Sequence, residues 1–74
     1  MRDKRRQYAL CIHAEQDEDL QVRKLYEILP DELAAQRGHL RVVDDSGEDY
    51  LYPKDFFAEI RVSPHLAKAL ASAR

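Results

Sequence analysis

A hairpin signal over residues 40–57, LRVVDDSGEDYLYPKDFF, most constrains how this chain can fold. Apolar and polar residues alternate on both sides of the turn at residues 44–48, which is typical of two antiparallel strands. Gly47 can take positive φ at no steric cost, and aspartate and serine favour turn positions. Pro53 fixes its own φ and predicts a single 3₁₀ turn before a last strand that begins at Phe57.

Two more strands are predicted upstream of this hairpin, separated by an acidic loop at residues 14–20. Residues 8–13 alternate with a period of two, so one face is expected to be buried. Residues 22–29 fit either a strand or a short helical turn, and their β-branched and aromatic content favours a strand. The other three strands are predicted at 40–43, 49–52 and 57–62. We expect the five strands to close into a small barrel, because closure removes exposed edges.

Two short helices are predicted outside these strands. Residues 31–37 combine an N-capping aspartate, helix-forming alanines and a glycine that can take the left-handed stop. Residues 64–72 follow a serine N-cap and begin with proline, which suits the first helical position. Leu66 and Leu70 lie four residues apart, and we expect them to dock this helix on the barrel or on a partner.

Length and composition indicate one domain. The 74 residues are 45% hydrophobic, which is enough for one small core. The expected organisation is a flexible basic tail at 1–6, a barrel at 7–62 and a C-terminal helix at 63–74. One cysteine excludes an internal disulfide, and no apolar run approaches the roughly 18 residues of a membrane span. These features predict a soluble cytoplasmic protein.

The segment GEDYLYPKDFF, residues 47–57, resembles the end of SH3 domains, where a distal hairpin leads through a Pro-x-x-aromatic 3₁₀ turn into the last strand. The resemblance implies an SH3-like barrel, with the acidic loop 14–20 in place of the RT loop and residues 31–37 in place of the n-Src loop. Residues 25–60 also resemble a group of short uncharacterised bacterial proteins with an LRVVDDSGEDYLYP-type core. That second resemblance implies a bacterial origin.

An aromatic cluster near the 3₁₀ turn is the first candidate binding site. SH3 peptide grooves use a tryptophan at the start of the third strand, and this chain has none. Tyr50 and Tyr52 share a face of their strand, so they form an exposed pair if Leu51 points inward. Pro53 and Phe56 could complete a shelf beside the acidic loops, suited to a basic or proline-rich peptide. The alternative is that these aromatic side chains fill the core.

Basic residues offer a second candidate function, a nucleic-acid-associated regulator. The cations of the tail are Arg2, Lys4, Arg5 and Arg6. They could join four later cations on one basic side, namely Arg23, Lys24, Arg37 and Arg41. A net charge of −2 and two acidic loops disfavour this function.

No residue cluster predicts catalysis, a cofactor or a metal. His13, His39 and His65 are far apart in sequence, without the local spacing of metal ligands. Cys11 and His13 share a strand face about 7 Å apart, too far for a direct hydrogen bond. The sequence therefore predicts a non-catalytic protein-interaction module whose partner is an unidentified protein or peptide. Self-association through an edge strand or the terminal helix is an open alternative.

Overall fold

The computed structural model describes residues 7–72 and is mainly β, with one antiparallel sheet and two α-helices. The five strands are β1 (Gln7–Cys11), β2 (Leu25–Leu29), β3 (His39–Val43), β4 (Asp49–Pro53) and β5 (Phe57–Glu59). The helices are α1 (Glu32–Gln36) and α2 (Pro64–Ser72), and a 3₁₀ turn spans Lys54–Phe56. The five predicted strands, both helices and the 3₁₀ turn are confirmed. The predicted basic tail, residues 1–6, lies outside the described residues.

The strands form an open sheet in the order β4-β3-β2-β1-β5. The predicted closure into a barrel is therefore wrong. The 3₁₀ turn carries the chain from the β4 edge to the far side of the sheet, where β5 pairs with β1. The sheet nevertheless curves enough for its two edge strands to meet through side chains, since the rings of Tyr52 and Phe57 lie edge-on with centroids 6.3 Å apart.

The core lies on the concave side of this sheet. Its buried members are Ala9, Cys11, Leu20, Tyr26, Val42, Tyr52 and Phe57. On β1 the core face carries Ala9 and Cys11, whereas Ile12 beyond the strand is 52% exposed. Tyr8, on the opposite face of β1, is buried as well and lines a cleft beside α2. The strand is thus covered on both faces near its start.

The β3–β4 hairpin closes as a three-residue loop with a bulged glycine. The Asp44 N–H donates to the Glu48 carbonyl, and the Gly47 N–H donates to the Asp44 carbonyl. Gly47 has φ +88°, a left-handed conformation that favours glycine. The turn chemistry predicted for this segment is confirmed.

The helix caps also follow the sequence. The Asp31 carboxylate accepts the Ala34 N–H at the start of α1, and the Ser63 hydroxyl accepts the Leu66 N–H at the start of α2. Leu66 does not dock α2 on the sheet, because Leu66 is 40% exposed and the buried residue of the helix is Ala67; docking on a partner stays a prediction. A small side chain lets the helix approach its neighbours closely, and Leu70 is half-buried.

Candidate interaction surfaces

The predicted aromatic shelf is divided between core and surface. Tyr52 is 7% exposed and belongs to the core, so the expected exposed pair with Tyr50 is not formed. Tyr50 is exposed and donates to the Glu48 carboxylate. Pro53 is exposed at the end of β4, and Phe56 is half-buried with its ring 4.6 Å from that of His13. The sequence did not decide whether Leu51 or the tyrosines face the core. In the structure Tyr52 faces the core and Leu51 faces outward.

Two aspartates of the turn hold this arrangement by hydrogen bonds to core tyrosines. Asp44, the one buried charged residue within 7–72, accepts the Tyr52 hydroxyl at 2.6 Å and the N–H and hydroxyl of Ser46. Asp45 accepts the Tyr26 hydroxyl at 2.9 Å and pairs with Lys24. These carboxylates anchor the turn to the core. The sequence predicts only their role in forming the turn.

The pKa values of this network follow from burial and hydrogen bonding. Burial acts to raise the pKa of Asp44, but hydrogen bonds from Ser46 and Tyr52 outweigh it and hold the pKa below its usual value. Asp45 behaves in the same way, with Lys24, Gln21 and Tyr26 as donors. Burial and the neighbouring carboxylate raise the pKa of Tyr52 well above that of a free phenol.

We expect stability to fall at both ends of the pH scale. The lowered carboxyl pKa values contribute stability that is present above the unfolded value of about 4 and lost as the pH falls through the folded one. The raised tyrosine pKa values contribute stability that is present below about pH 10 and lost above it. Urea midpoints measured between pH 3 and 11 should form a plateau with two falling limbs. Tyr52→Phe should shrink the alkaline limb, and an unchanged alkaline limb in that variant would contradict the assignment.

Leu51 points away from the core and forms a groove with α1. Leu51 is 48% exposed and Leu33 of α1 is 58% exposed, and both line a groove of about 340 Å³ on the outer face of the sheet. Ala34 also lines it. This site was not predicted from the sequence. One signal pointed to it: Arg41 alternates with core-facing Val42, so Arg41 lies on the outer face of β3. Leu51 pairs with Arg41 across the hairpin and therefore lies on the outer face as well.

The rim of this groove carries charges of both signs. Asp31, Arg37, His39 and Arg41 complete the lining. Arg41 is held in place by Asp31 at 2.7 Å and Asp49 at 2.8 Å, and these two hydrogen bonds raise its pKa. The Arg37 side chain has no ion-pair partner within residues 7–72. The His39 Nδ1–H donates to the Arg37 carbonyl, 2.8 Å away, which fixes its ring beside the groove.

A second surface joins the acidic loop to the 3₁₀ turn. The ring of His13 contacts Phe56, and its Nε2 lies 2.8 Å from the Glu15 carboxylate. The Ile12 N–H donates to the Phe56 carbonyl, so the start of the loop is fixed against the turn. Phe56 is half-buried in this surface.

Two of the four later cations proposed for nucleic-acid binding are engaged with carboxylates. Lys24 pairs with Asp45, and Arg41 pairs with Asp31 and Asp49. Arg37 stands alone at the groove, and Arg23 occupies a left-handed position, φ +76°, before β2. The four tail cations, Arg2, Lys4, Arg5 and Arg6, lie outside the described residues. Within 7–72, Lys24 and Arg41 are therefore not free to bind a nucleic-acid phosphate without giving up a carboxylate partner.

Cys11 is a core residue. Its side chain is fully buried, its thiol donates to the His13 carbonyl, and burial raises its pKa. No group of three or more histidine, cysteine, aspartate or glutamate side chains in the described part of the chain is placed to hold a metal ion.

No family model, curated protein or solved structure matches this chain. Over residues 7–72, no helix is long and apolar enough to cross a membrane.

Proposed function

We propose that this protein is a small non-catalytic protein-interaction module that binds a partner segment in the groove between α1 and the outer face of β3 and β4. The observation that carries the proposal is that two exposed leucines, Leu33 of α1 and Leu51 of β4, line one groove. Grooves with apolar walls and a few fixed polar groups are the usual form of binding sites.

The chemistry of the groove favours a segment that is apolar and acidic. Aliphatic side chains of such a segment would cover Leu33 and Leu51, removing their apolar surface from water. A carboxylate would meet Arg37, whose guanidinium can form a bidentate pair and has no competing acid within residues 7–72. Arg41 is already paired with Asp31 and Asp49, so Arg37 is the cation of the groove that an acidic segment would meet.

A displayed library of random 12-residue peptides tests this proposal. We expect selection on the wild-type protein to enrich peptides that combine aliphatic and acidic residues. Leu33→Glu should reduce the affinity of the enriched peptides about tenfold or more, because it adds a repelling charge and removes apolar contact. Arg37→Glu should shift the selection from acidic to basic peptides.

Leu66→Glu is the matched control, since Leu66 is also a half-exposed helical leucine but lies on α2. It should leave peptide affinity unchanged. Enriched peptides that are basic or proline-rich, and that bind Leu33→Glu as tightly as the wild type, would contradict the groove and indicate the surface of His13 and Phe56 instead.

We further propose that the fold is related to SH3-like domains. In support, a long acidic loop joins β1 to β2, a helical insertion joins β2 to β3, a tight hairpin joins β3 to β4, and a 3₁₀ turn precedes β5. This is the loop order that residues 47–57 imply by resemblance. The groove lies at the helical insertion, on the outer face of the sheet.

A further inference from the structure

The outer edge of β4 presents backbone groups that no strand within residues 7–72 pairs with. At one end of the β3–β4 ladder the Asp44 N–H bonds the Glu48 carbonyl, and at the other the Lys54 N–H bonds the Gly38 carbonyl. Bonded and non-bonded pairs alternate in an antiparallel ladder, so Tyr50 and Tyr52 direct their backbone groups toward β3. The outward groups therefore belong to Asp49, Leu51 and Pro53.

This edge carries little of the protection that sheet edges usually have. Its central residue Leu51 is apolar and exposed, and no other strand of the described chain pairs with it. The charge of Asp49 is balanced by Arg41. Pro53 has no N–H, so the edge lacks a donor at this one end, although the Pro53 carbonyl can still accept a hydrogen bond. β5, the other edge strand, is three residues long.

We propose that β4 pairs with β4 of a second copy of this chain, antiparallel and centred on Leu51, to form a two-fold symmetric dimer. In this register the Leu51 N–H and carbonyl bond reciprocally with those of the second copy. The Asp49 N–H donates to the Pro53 carbonyl of the second copy, whereas the Asp49 carbonyl receives no bond in return because proline has no N–H. The two copies together form one continuous sheet.

The side chains of this register are complementary. Leu51 meets Leu51 of the second copy across the axis, which covers an exposed apolar side chain. Glu48 comes opposite Lys54 of the second copy at each end, and no like charges face each other. The dimer is a separate proposal and does not depend on the peptide groove. Leu51 belongs to both the dimer contact and the groove, so the two-fold axis would bring the two grooves side by side.

Oxidation of Leu51→Cys tests the register directly. Directly opposed, hydrogen-bonded residues have Cα atoms about 5.5 Å apart, within the roughly 4.4 to 6.8 Å of disulfides. We expect this variant to form a covalent dimer on a non-reducing gel, while the buried Cys11 stays unreacted. Leu33→Cys, equally exposed but off the edge, is the control and should crosslink far more slowly. Equal crosslinking of the two variants would overturn the proposal.

A charge exchange tests the same contact without a covalent bond. By sedimentation equilibrium, Glu48→Lys and Lys54→Glu should each raise the dimer dissociation constant roughly 5- to 10-fold, because each places like charges opposite one another twice. The double variant should restore the wild-type constant. A wild-type monomer at millimolar concentration, or a dimer that neither single change weakens, would overturn the proposal. Leu33→Glu, which should weaken groove binding, should leave the dimer intact, so the two proposals can fail separately.

Discussion

Phe57→Ala is expected to lower the free energy of unfolding by about 3 to 5 kcal/mol. Phe57 is buried at the start of β5, and its ring packs edge-on against Tyr26 of β2 and Tyr52 of β4, with centroids 6.3 Å away in both cases. It is thus the side chain through which the two edge strands meet. A chain of this size has a total stability of only about 4 to 11 kcal/mol, so a large fraction of the variant should be unfolded. Urea denaturation followed by circular dichroism measures the change.

Phe56→Ala is the matched control, because it removes the same atoms from the neighbouring residue. Phe56 is half-buried and contacts His13 at the rim of the core. The expected loss is about 1 to 2 kcal/mol, since less apolar surface is removed from contact and the site can relax toward solvent. Equal losses in the two variants would mean that Phe57 does not join the sheet edges as described.

Asp44→Ala should have the second largest effect, a loss of about 2 to 4 kcal/mol. Asp44 is buried, and its carboxylate accepts the Tyr52 hydroxyl and both the N–H and the hydroxyl of Ser46. Without it, the Tyr52 hydroxyl is left in the core with no acceptor, and the turn loses its internal hydrogen bonds. Thermal and urea unfolding at pH 7 measure the loss, and hydrogen exchange of the Ser46 amide should become faster.

Two variants separate the parts of this effect. Tyr52→Phe removes only the hydroxyl and leaves Ser46 bonded, so it should cost about 1 to 2 kcal/mol. Asp17→Ala removes an exposed carboxylate of the acidic loop and should change stability by less than about 0.5 kcal/mol. An Asp44→Ala variant no less stable than Asp17→Ala would show that the buried carboxylate contributes nothing to the fold.

Much of the local structure could be predicted from the sequence because the signals act over a few residues. The hairpin at residues 44–48 is specified by a glycine that tolerates positive φ beside turn-forming aspartates. The N-caps Asp31 and Ser63 each bond an amide three residues ahead. The 3₁₀ turn follows from the fixed φ of Pro53. All of these interactions join near neighbours in the chain, so the type of residue was enough to predict them.

The candidate site required contacts between residues far apart in sequence. Leu33 and Leu51 are 18 positions apart, and only the packing of α1 over the outer face of β3 places them on one groove. The groove's charge likewise depends on long-range contacts. Asp31 and Asp49 both pair with Arg41, and Arg37 has no carboxylate partner within residues 7–72. No periodicity within one strand or helix carries that information.

The sequence by itself determined that residues 40–57 form a hairpin, a 3₁₀ turn and a further strand, because each step depends on local backbone preferences. It could not decide whether Leu51 or the tyrosines beside it face inward, since a period of two fits both assignments. The tertiary structure decides this through Asp44, which is buried beneath the turn and accepts the Tyr52 hydroxyl, while Phe57 covers the Tyr52 ring. Leu51 is therefore left on the outer face, where it supplies the exposed edge and one wall of the groove.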